Sequence, residues 1–198
     1  MNVTAKRLPG RPRSEASHQA IVQATLELLL EGGYRALTME QVRARAGVGK
    51  ATIYRRWQSK EELVATVIEH LHSDLQAPDT GTLAGDYEEL ARSVIGGAAK
   101  VGMTTFMPRL LAETVDNAEL HAIFYANLVA PRRAVMRTVL ERAVARGELR
   151  GDVDLEMVTD MLVGPVFYRL LITAGDVAEL FAPRELLDAV LNGVAPRR

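Results

Sequence analysis

Apolar residues recur at intervals of three and four along most of the chain, and no stretch alternates apolar and polar residues with a period of two. This spacing predicts amphipathic helices and no sheet. Beyond residue 85 the predicted helices are 86–101, 104–115, 118–146, 154–174 and 183–193. Pro131 and the pair Gly164-Pro165 fall inside two of them and predict kinks. The pattern therefore indicates an all-α protein.

The amino-terminal end begins with a segment that is unsuited to a helix. Residues 1–13 contain four basic residues, two prolines and no acid, so we expect a flexible basic arm. Ser14 is a suitable N-cap for the first helix, and Gly32-Gly33 can end that helix because glycine readily adopts a left-handed cap.

Two short helices are predicted next, joined by a glycine-containing turn. The capping box Thr38-Met-Glu-Gln41 opens the first, which stops at Gly47-Val48-Gly49. The second runs from about Lys50 to Trp57, and a further capping box at Ser59-Lys-Glu-Glu62 opens a longer helix. Two short helices around such a turn, braced by neighbours, are typical of a helix-turn-helix. A Pro- and Gly-rich segment at about 78–85 is expected to be a connector.

The charges of the chain are divided by position. Residues 1–60 contain 11 Lys/Arg and 4 Asp/Glu, a net +7, whereas residues 61–198 contain 13 and 21, a net -8. Clustered cations gain affinity for a polyanion by releasing counterions, so nucleic acid is the expected partner of the first part. The chain has no cysteine and no apolar run of membrane-spanning length, which favours a reducing, cytoplasmic location with no membrane partner.

At residues 33–63, GYRALTMEQVRARAGVGKATIYRRWQSKEEL, the chain closely resembles the signature of the tetracycline-repressor (TetR/AcrR) family. The segment PRRAVMRTVLERAVARGELRGDVD at 131–154 is similar to the carboxy-terminal domain of one group in that family. The resemblance implies a three-helix DNA-binding domain over 14–60, after the arm at 1–13, and a helical ligand-binding and dimerisation domain over 61–198. Two positions depart from the family, which commonly has serine at Gly49 and an aromatic residue or histidine at Arg56.

The amino-terminal end of a recognition helix enters the major groove, so Lys50, Ala51 and Thr52 are expected nearest the base edges. The resemblance implies phosphate contacts for Tyr54, Arg56 and Lys60. Thr38 and the start of its helix offer backbone N–H groups to a further phosphate, and Arg55 and Glu40 are additional candidate base contacts. Arg11 and Arg13 lie in PGRPR, which resembles the core of a minor-groove AT-hook; a disordered basic tail is the alternative. Trp57 is expected in the core, together with Ile53.

The larger domain is expected to form a homodimer and to enclose a small, largely apolar effector. The dimer interface implied by the family consists of Val158, Met161, Leu162, Val166, Phe167, Leu170, Leu186, Leu187, Val190 and Leu191. The cavity helices of the family carry Met103, Phe106, Met107, Leu110, His121, Phe124, Tyr125, Leu128 and Tyr168. Of these, His121, Tyr125 and Tyr168 would be polar anchors. Aromatic residues and methionines at helical spacing can also pack only in the hydrophobic core.

No catalytic constellation, metal site or cofactor site is predicted. His70 and His72 lie two residues apart on a helix and point to different faces. The leading hypothesis is a homodimeric repressor on a palindromic operator, released by its effector. Two alternatives stay open: an activator or architectural DNA binder of the same fold, and an all-helical enzyme or lipid carrier.

Overall fold

The computed structural model describes residues 11–70, 75–100, 103–171 and 182–192, with side chains described over 15–70, 75–94, 107–169 and 182–192. The chain divides into two compact units, the first ending at Val67 and the second beginning at Ile68. Every regular element of the described ranges is a helix, which confirms the predicted all-α fold. The predicted site residues whose side chains fall outside these ranges are Arg11, Arg13, Met103, Phe106 and Leu170. His72 lies wholly outside them.

The helices of the first unit are α1 (Arg11–Ala36), α2 (Met39–Arg45), α3 (Lys50–Tyr54) and most of α4 (Lys60–His70). The prediction of a non-helical arm is wrong for residues 11–13, because α1 begins at Arg11. Pro12 lies in the first turn, where its missing N–H has no intrahelical role and its fixed φ suits the helix. At Gly33 the φ is 76°, so helical geometry is interrupted at the predicted glycine pair.

The core of the first unit is drawn from all four helices and from the turns beside them. Its fully buried side chains are Ile21, Leu29, Leu37, Val42, Ile53, Leu63, Val64 and Ala24, with Trp57 and Tyr34 at 5 % exposure. Residues on α1 and α4 recur at helical spacing and so present one apolar face each. The predicted burial of both Trp57 and Ile53 in the core is confirmed.

The helices of the second unit are α5 (Leu83–Lys100), α6 (Met103–Thr114), α7 (Ala118–Phe124), α8 (Ala130–Ala145), α9 (Leu155–Leu171) and α10 (Pro183–Asn192). They match the five predicted helices, except that the predicted helix 118–146 contains a π-helical turn at Tyr125–Val129 between α7 and α8. Within that turn the N–H of Ala130 donates to the carbonyl of Tyr125, five residues back. Pro131 follows and has no N–H to offer, which explains why the widened turn lies where the kink is predicted. α9 continues through Pro165.

The core of the second unit joins four of its helices. It consists of Leu83, Tyr87, Leu90, Met136, Val139, Leu140, Ala143, Leu162 and Leu187. The Tyr87 hydroxyl donates to the Leu162 carbonyl at 3.0 Å, and burial raises the pKa of Tyr87. In the described ranges, no helix is both long and apolar enough to cross a bilayer.

The segment predicted as a connector is an ordered part of the second unit. The buried Asp86 carboxylate accepts from the Thr80 N–H at 2.6 Å, from the Thr80 hydroxyl at 2.7 Å and from the Arg146 guanidinium at 3.1 Å. Burial alone would raise the pKa of Asp86, but these hydrogen bonds hold it below the usual carboxyl range. Arg142 of α8 donates to the carbonyl of Pro78 at 2.9 Å, so the segment is hydrogen-bonded at its start as well as at Thr80.

Candidate nucleic-acid interface

The turn between α2 and α3 is a Schellman motif centred on Gly47. Gly47 has a φ of 64°, and its N–H donates to the Ala44 carbonyl at 3.3 Å. The N–H of Val48 donates to the Arg43 carbonyl at 3.2 Å, which completes the pair of bonds that defines the motif. This left-handed residue ends α2 and allows α3 to begin three residues later, at Lys50, in a new direction.

α3 presents one face to the core and the opposite face to solvent. Ile53 is fully buried, whereas Lys50, Ala51 and Tyr54 are exposed and Thr52 is partly buried. The Lys50 ammonium lies 5.7 Å from the centroid of the Tyr54 ring, a cation–π distance. The exposed polar side chains of α3 are therefore carried by a helix whose other face is anchored in the core by Ile53.

The start of α2 has the predicted capping box. The Thr38 hydroxyl accepts from the Gln41 N–H at 3.2 Å, and the Gln41 side chain accepts from the Thr38 N–H at 3.0 Å. At this end the N–H groups of Met39 and Glu40 have no intrahelical acceptor. These two groups suit the phosphate contact predicted for the start of the helix.

Two arginines of α2 make hydrogen bonds within the first unit that the sequence pattern does not predict. Arg45 donates to the two oxygens of Glu31 at 2.9 Å each, which ties α2 to α1. Arg43 donates to the carbonyl of Val48 at 3.3 Å and also binds the carboxylate of Glu40. The Arg43 hydrogen bond lowers the pKa of Glu40. Glu40, a predicted base contact, is therefore engaged within its own helix.

Lys60, a predicted phosphate contact, lies against Tyr34. Its ammonium is 4.0 Å from the Tyr34 ring centroid and donates to the Tyr34 carbonyl at 3.2 Å. The Tyr34 hydroxyl also donates to the carboxylate of Glu61. An ammonium has three donors, so one contact with the protein leaves donors for a phosphate. Arg55 is exposed and Arg56 is partly buried.

The structure separates the predicted effector residues into two sets. Met107, Leu110, Phe124 and Leu128 are buried. His121, Tyr125 and Tyr168 are exposed, and the rings of His121 and Tyr125 stack at 6.4 Å on the outside of the helix. The role of these three side chains as polar anchors for an effector stays a prediction.

The predicted dimer residues also divide by burial. Met161 and Leu191 are exposed, whereas Val158, Val166, Phe167, Leu186 and Val190 are partly buried. Leu162 and Leu187 are 0 % and 2 % exposed, which places them in the core of their own unit and corrects their assignment to the interface. An apolar residue on a helix can pack into the core of its own unit or into a dimer interface, so periodicity alone does not distinguish these two roles.

A helix-turn-helix with an exposed polar recognition face, followed by a separate helical unit, defines a DNA-binding protein of two parts. Residues 21–67 match the model of the bacterial regulatory proteins of the tetR family, and residues 77–190 match the tetracyclin repressor-like C-terminal domain. The chain belongs to the tetracycline-repressor family, and it is a DNA-binding transcriptional regulator.

The similarity to known relatives extends over almost the whole chain. The HTH-type transcriptional regulator YdeS of Bacillus subtilis is 34% identical over 186 residues, 93% of each chain. The crystal structure of the TetR family transcription regulator SCO0332 has 32% identity and a TM-score of 0.69, covering 91% of this chain and 99% of its own. Thermus thermophilus FadR, described as a transcriptional repressor in complex with lauroyl-CoA, shares the fold with a TM-score of 0.64 at 21% identity, covering 91% and 96%.

Proposed function

We propose that this regulator is a homodimeric repressor that binds a palindromic operator when empty and leaves it when a small apolar effector binds its second unit. The observation that carries the proposal is the outer face of α3. Lys50 and Tyr54 are exposed there, while Ile53 is fully buried and Trp57 supports the end of the helix from within. Since the partner is operator DNA inside the cell, the proposed location is the cytoplasm.

The roles on α3 follow from the position of each side chain. Lys50, at the first turn, would donate to guanine O6 and N7, while the methyl groups of Ala51 and Thr52 would contact thymine methyl groups. Tyr54, one turn later, would bind phosphate, as would Arg56 and Lys60. In these assignments the start of α3 contacts the base edges, and the residues that follow contact the DNA phosphates. Arg55 remains a further candidate for a base contact.

A dimer explains an apolar stripe on α9. Met157, Met161 and Tyr168 are 61%, 48% and 59% exposed, and their spacing puts them on one face of the helix together with Gly164. Leu191 of α10 is also exposed. In a two-fold dimer the same patch on each chain would cover its copy, and the two helix-turn-helix units would read two half-sites.

The effector would occupy the second unit beside Met107, Leu110, Phe124 and Leu128. These side chains come from α6, α7 and the π-helical turn, and all are buried and apolar. The lauroyl-CoA bound to the Thermus thermophilus protein of the same fold supports a ligand with a long apolar part. α4 is continuous from the first unit into the second, so a tilt of this helix would change the separation of the two recognition helices. That separation must match about 34–36 Å of duplex.

The experiment is footprinting of the purified protein on DNA flanking its own gene, with and without candidate effectors. We expect a protected near-palindrome that an effector abolishes, with reciprocal coupling of about 5- to 150-fold. Lys50→Ala should change the selected bases at defined positions, whereas Tyr54→Phe should weaken all sequences alike. Tyr54→Phe is the matched control because it removes one hydroxyl from the same helix.

Other outcomes would assign the protein differently. Protection without a defined palindrome would favour an architectural DNA binder. An effector that binds tightly but leaves the operator complex intact at saturation would contradict induced release and favour an activator or a constitutive binder. Turnover or transport of a ligand with no DNA protection would favour the enzyme or carrier alternative.

A further inference from the structure

Arg132 stands in the apolar stripe of its helix. It lies four residues after Leu128, which is 1% exposed, and four residues before Met136, which is 5% exposed. Residues four apart share a helix face, so Arg132 is aligned with the core-facing side chains of the π-helical turn and of α8. Its Nε atom is buried and has no hydrogen-bond partner among the residues that the structure describes. Burial also lowers the pKa of Arg132, although a guanidinium stays charged at neutral pH.

The other arginines of this region show what Arg132 lacks. Arg133 binds Glu156 at 2.5 Å and Asp160 at 2.6 Å, and Arg137 binds Glu141 and Glu156 at 3.0 Å each. Arg142 donates to the Pro78 carbonyl before α5, and Arg146 binds Asp86 within it. Within the part of the chain that the structure describes, Arg132 makes no ion pair. Arg132 and Arg133 are adjacent in the sequence, yet the Arg133 guanidinium makes two ion pairs and, among the described residues, the Arg132 guanidinium makes none.

A partly buried guanidinium without a protein partner lowers stability, and proteins retain such groups at sites where a ligand supplies the missing partner. The π-helical turn immediately before α8 is a second departure from regular structure, and such turns occur frequently at functional sites. Around Arg132 the buried neighbours on the same face are apolar. A ligand that pairs with the Arg132 guanidinium and packs against its apolar neighbours must combine an anionic group with an apolar body.

We infer that Arg132 is the anchor for the anionic group of the effector, and that the effector is an amphipathic organic anion, a carboxylate or a phosphate ester, rather than a neutral apolar molecule. The guanidinium would donate to two oxygens of that group, a geometry that suits carboxylate and phosphate alike. The apolar body would lie along the buried stripe. This inference rests on the proposed effector function and names the chemical class of its ligand.

The test measures binding of matched straight-chain probes of 6 to 16 carbons by calorimetry, using the carboxylate, the alkyl phosphate and the alcohol of each length. For the best length we expect at least one of the anions to bind about ten- to a hundredfold more tightly than the alcohol. The carboxylate and phosphate arms identify which anion is preferred. Arg132→Met should remove the preference and leave the alcohol affinity unchanged, while Arg132→Lys should restore part of it.

The matched control is Arg133→Met, one residue along the same helix. It breaks the ion pairs to Glu156 and Asp160, so its melting temperature should fall, while the preference for the anion should persist. Arg132→Met should melt no lower than wild type, because it removes a partly buried guanidinium whose Nε has no partner among the described residues. Equal binding of acid, phosphate and alcohol, an unchanged anion preference in Arg132→Met, or a larger loss of stability in Arg132→Met than in Arg133→Met would overturn the inference. Binding of alcohols alone would leave the effector proposal standing, whereas no binding of any probe would count against both.

Discussion

Trp57 donates its indole N–H to the hydroxyl of Thr66 at 2.9 Å, which fastens the residue behind α3 to the middle of α4. The Trp57 ring also stacks on His18 of α1 with centroids 5.1 Å apart. The indole therefore contacts two long helices while its own position follows the recognition helix by three residues. Trp57 therefore connects α1, α4 and the segment that follows the recognition helix.

A double-mutant cycle measures this connection. Trp57→Phe keeps an aromatic ring but removes the N–H, and Thr66→Val removes the acceptor with little change of volume. We expect a coupling of about 0.5–1.5 kcal/mol between the two changes in the free energy of unfolding. Circular dichroism during urea unfolding provides the readout, since Trp57 is the only tryptophan and its fluorescence is lost in one variant. Strictly additive effects would show that the hydrogen bond contributes nothing.

The two glycines that flank Val48 should respond in opposite ways to the same substitution. Gly47 has a φ of 64°, so Gly47→Ser forces a side chain into the left-handed region and should cost about 1–2 kcal/mol. Gly49 is the N-cap of α3 with a φ of -73° and no side-chain cap, so Gly49→Ser should gain a few tenths of a kcal/mol. Both positions have open space for a Cβ, which excludes crowding as the cause. Similar melting temperatures for the two variants would refute the assigned turn geometry.

Asp86 is expected to stabilise the second unit in a pH-dependent way. Asp86→Ala leaves the Thr80 N–H without its acceptor and should cost about 1–3 kcal/mol at neutral pH. Because the pKa of Asp86 is lowered in the folded protein, its stabilisation is complete above the unfolded carboxyl pKa of about 3.9 and is lost as pH falls through the lower folded pKa. Melting temperatures of wild type and variant should therefore converge only in acid.

Asp79→Ala is the control for Asp86. Asp79 faces the same Arg146, but at 3.9 Å and with 67% of its side chain exposed. An exposed ion pair contributes little, so this variant should melt close to wild type. A loss of stability equal to that of Asp86→Ala would mean that charge near Arg146 matters and that the buried hydrogen bonds do not.

Most of the fold was predictable because the helices are amphipathic and their ends carry local signals. The capping box at Thr38 and the glycine turn at Gly47 each act over a few residues, so the sequence states them directly. The start of α1 was misjudged since proline excludes a helix interior but suits a first turn, and a sequence does not say which turn Pro12 occupies.

The sites were less predictable because burial depends on contacts between distant segments. Leu162 and Met161 are adjacent and both apolar, yet one is fully buried and the other half exposed. The hydrogen bonds of Arg45 with Glu31 join residues 14 apart on different helices, a distance at which no spacing rule applies. Arg132 carries no signal in the sequence, and its buried Nε without a hydrogen-bond partner among the described residues is evident only in the folded structure.

The exposed stripe on α9 leads to the last prediction, on assembly. Met161→Glu should convert a dimer into a monomer in multi-angle light scattering, because the carboxylate would be buried without a partner and would face its own copy across a two-fold axis. Affinity for a two-half-site operator should fall with it, while the affinity for a single half-site should not change. Val115→Glu provides the control, since Val115 is 82% exposed between α6 and α7 and lies outside the proposed interface. That variant should remain dimeric, and the circular dichroism of both should stay helical. A dimer that survives Met161→Glu would remove this face of α9 from the interface and leave its exposed methionines without the role assigned to them.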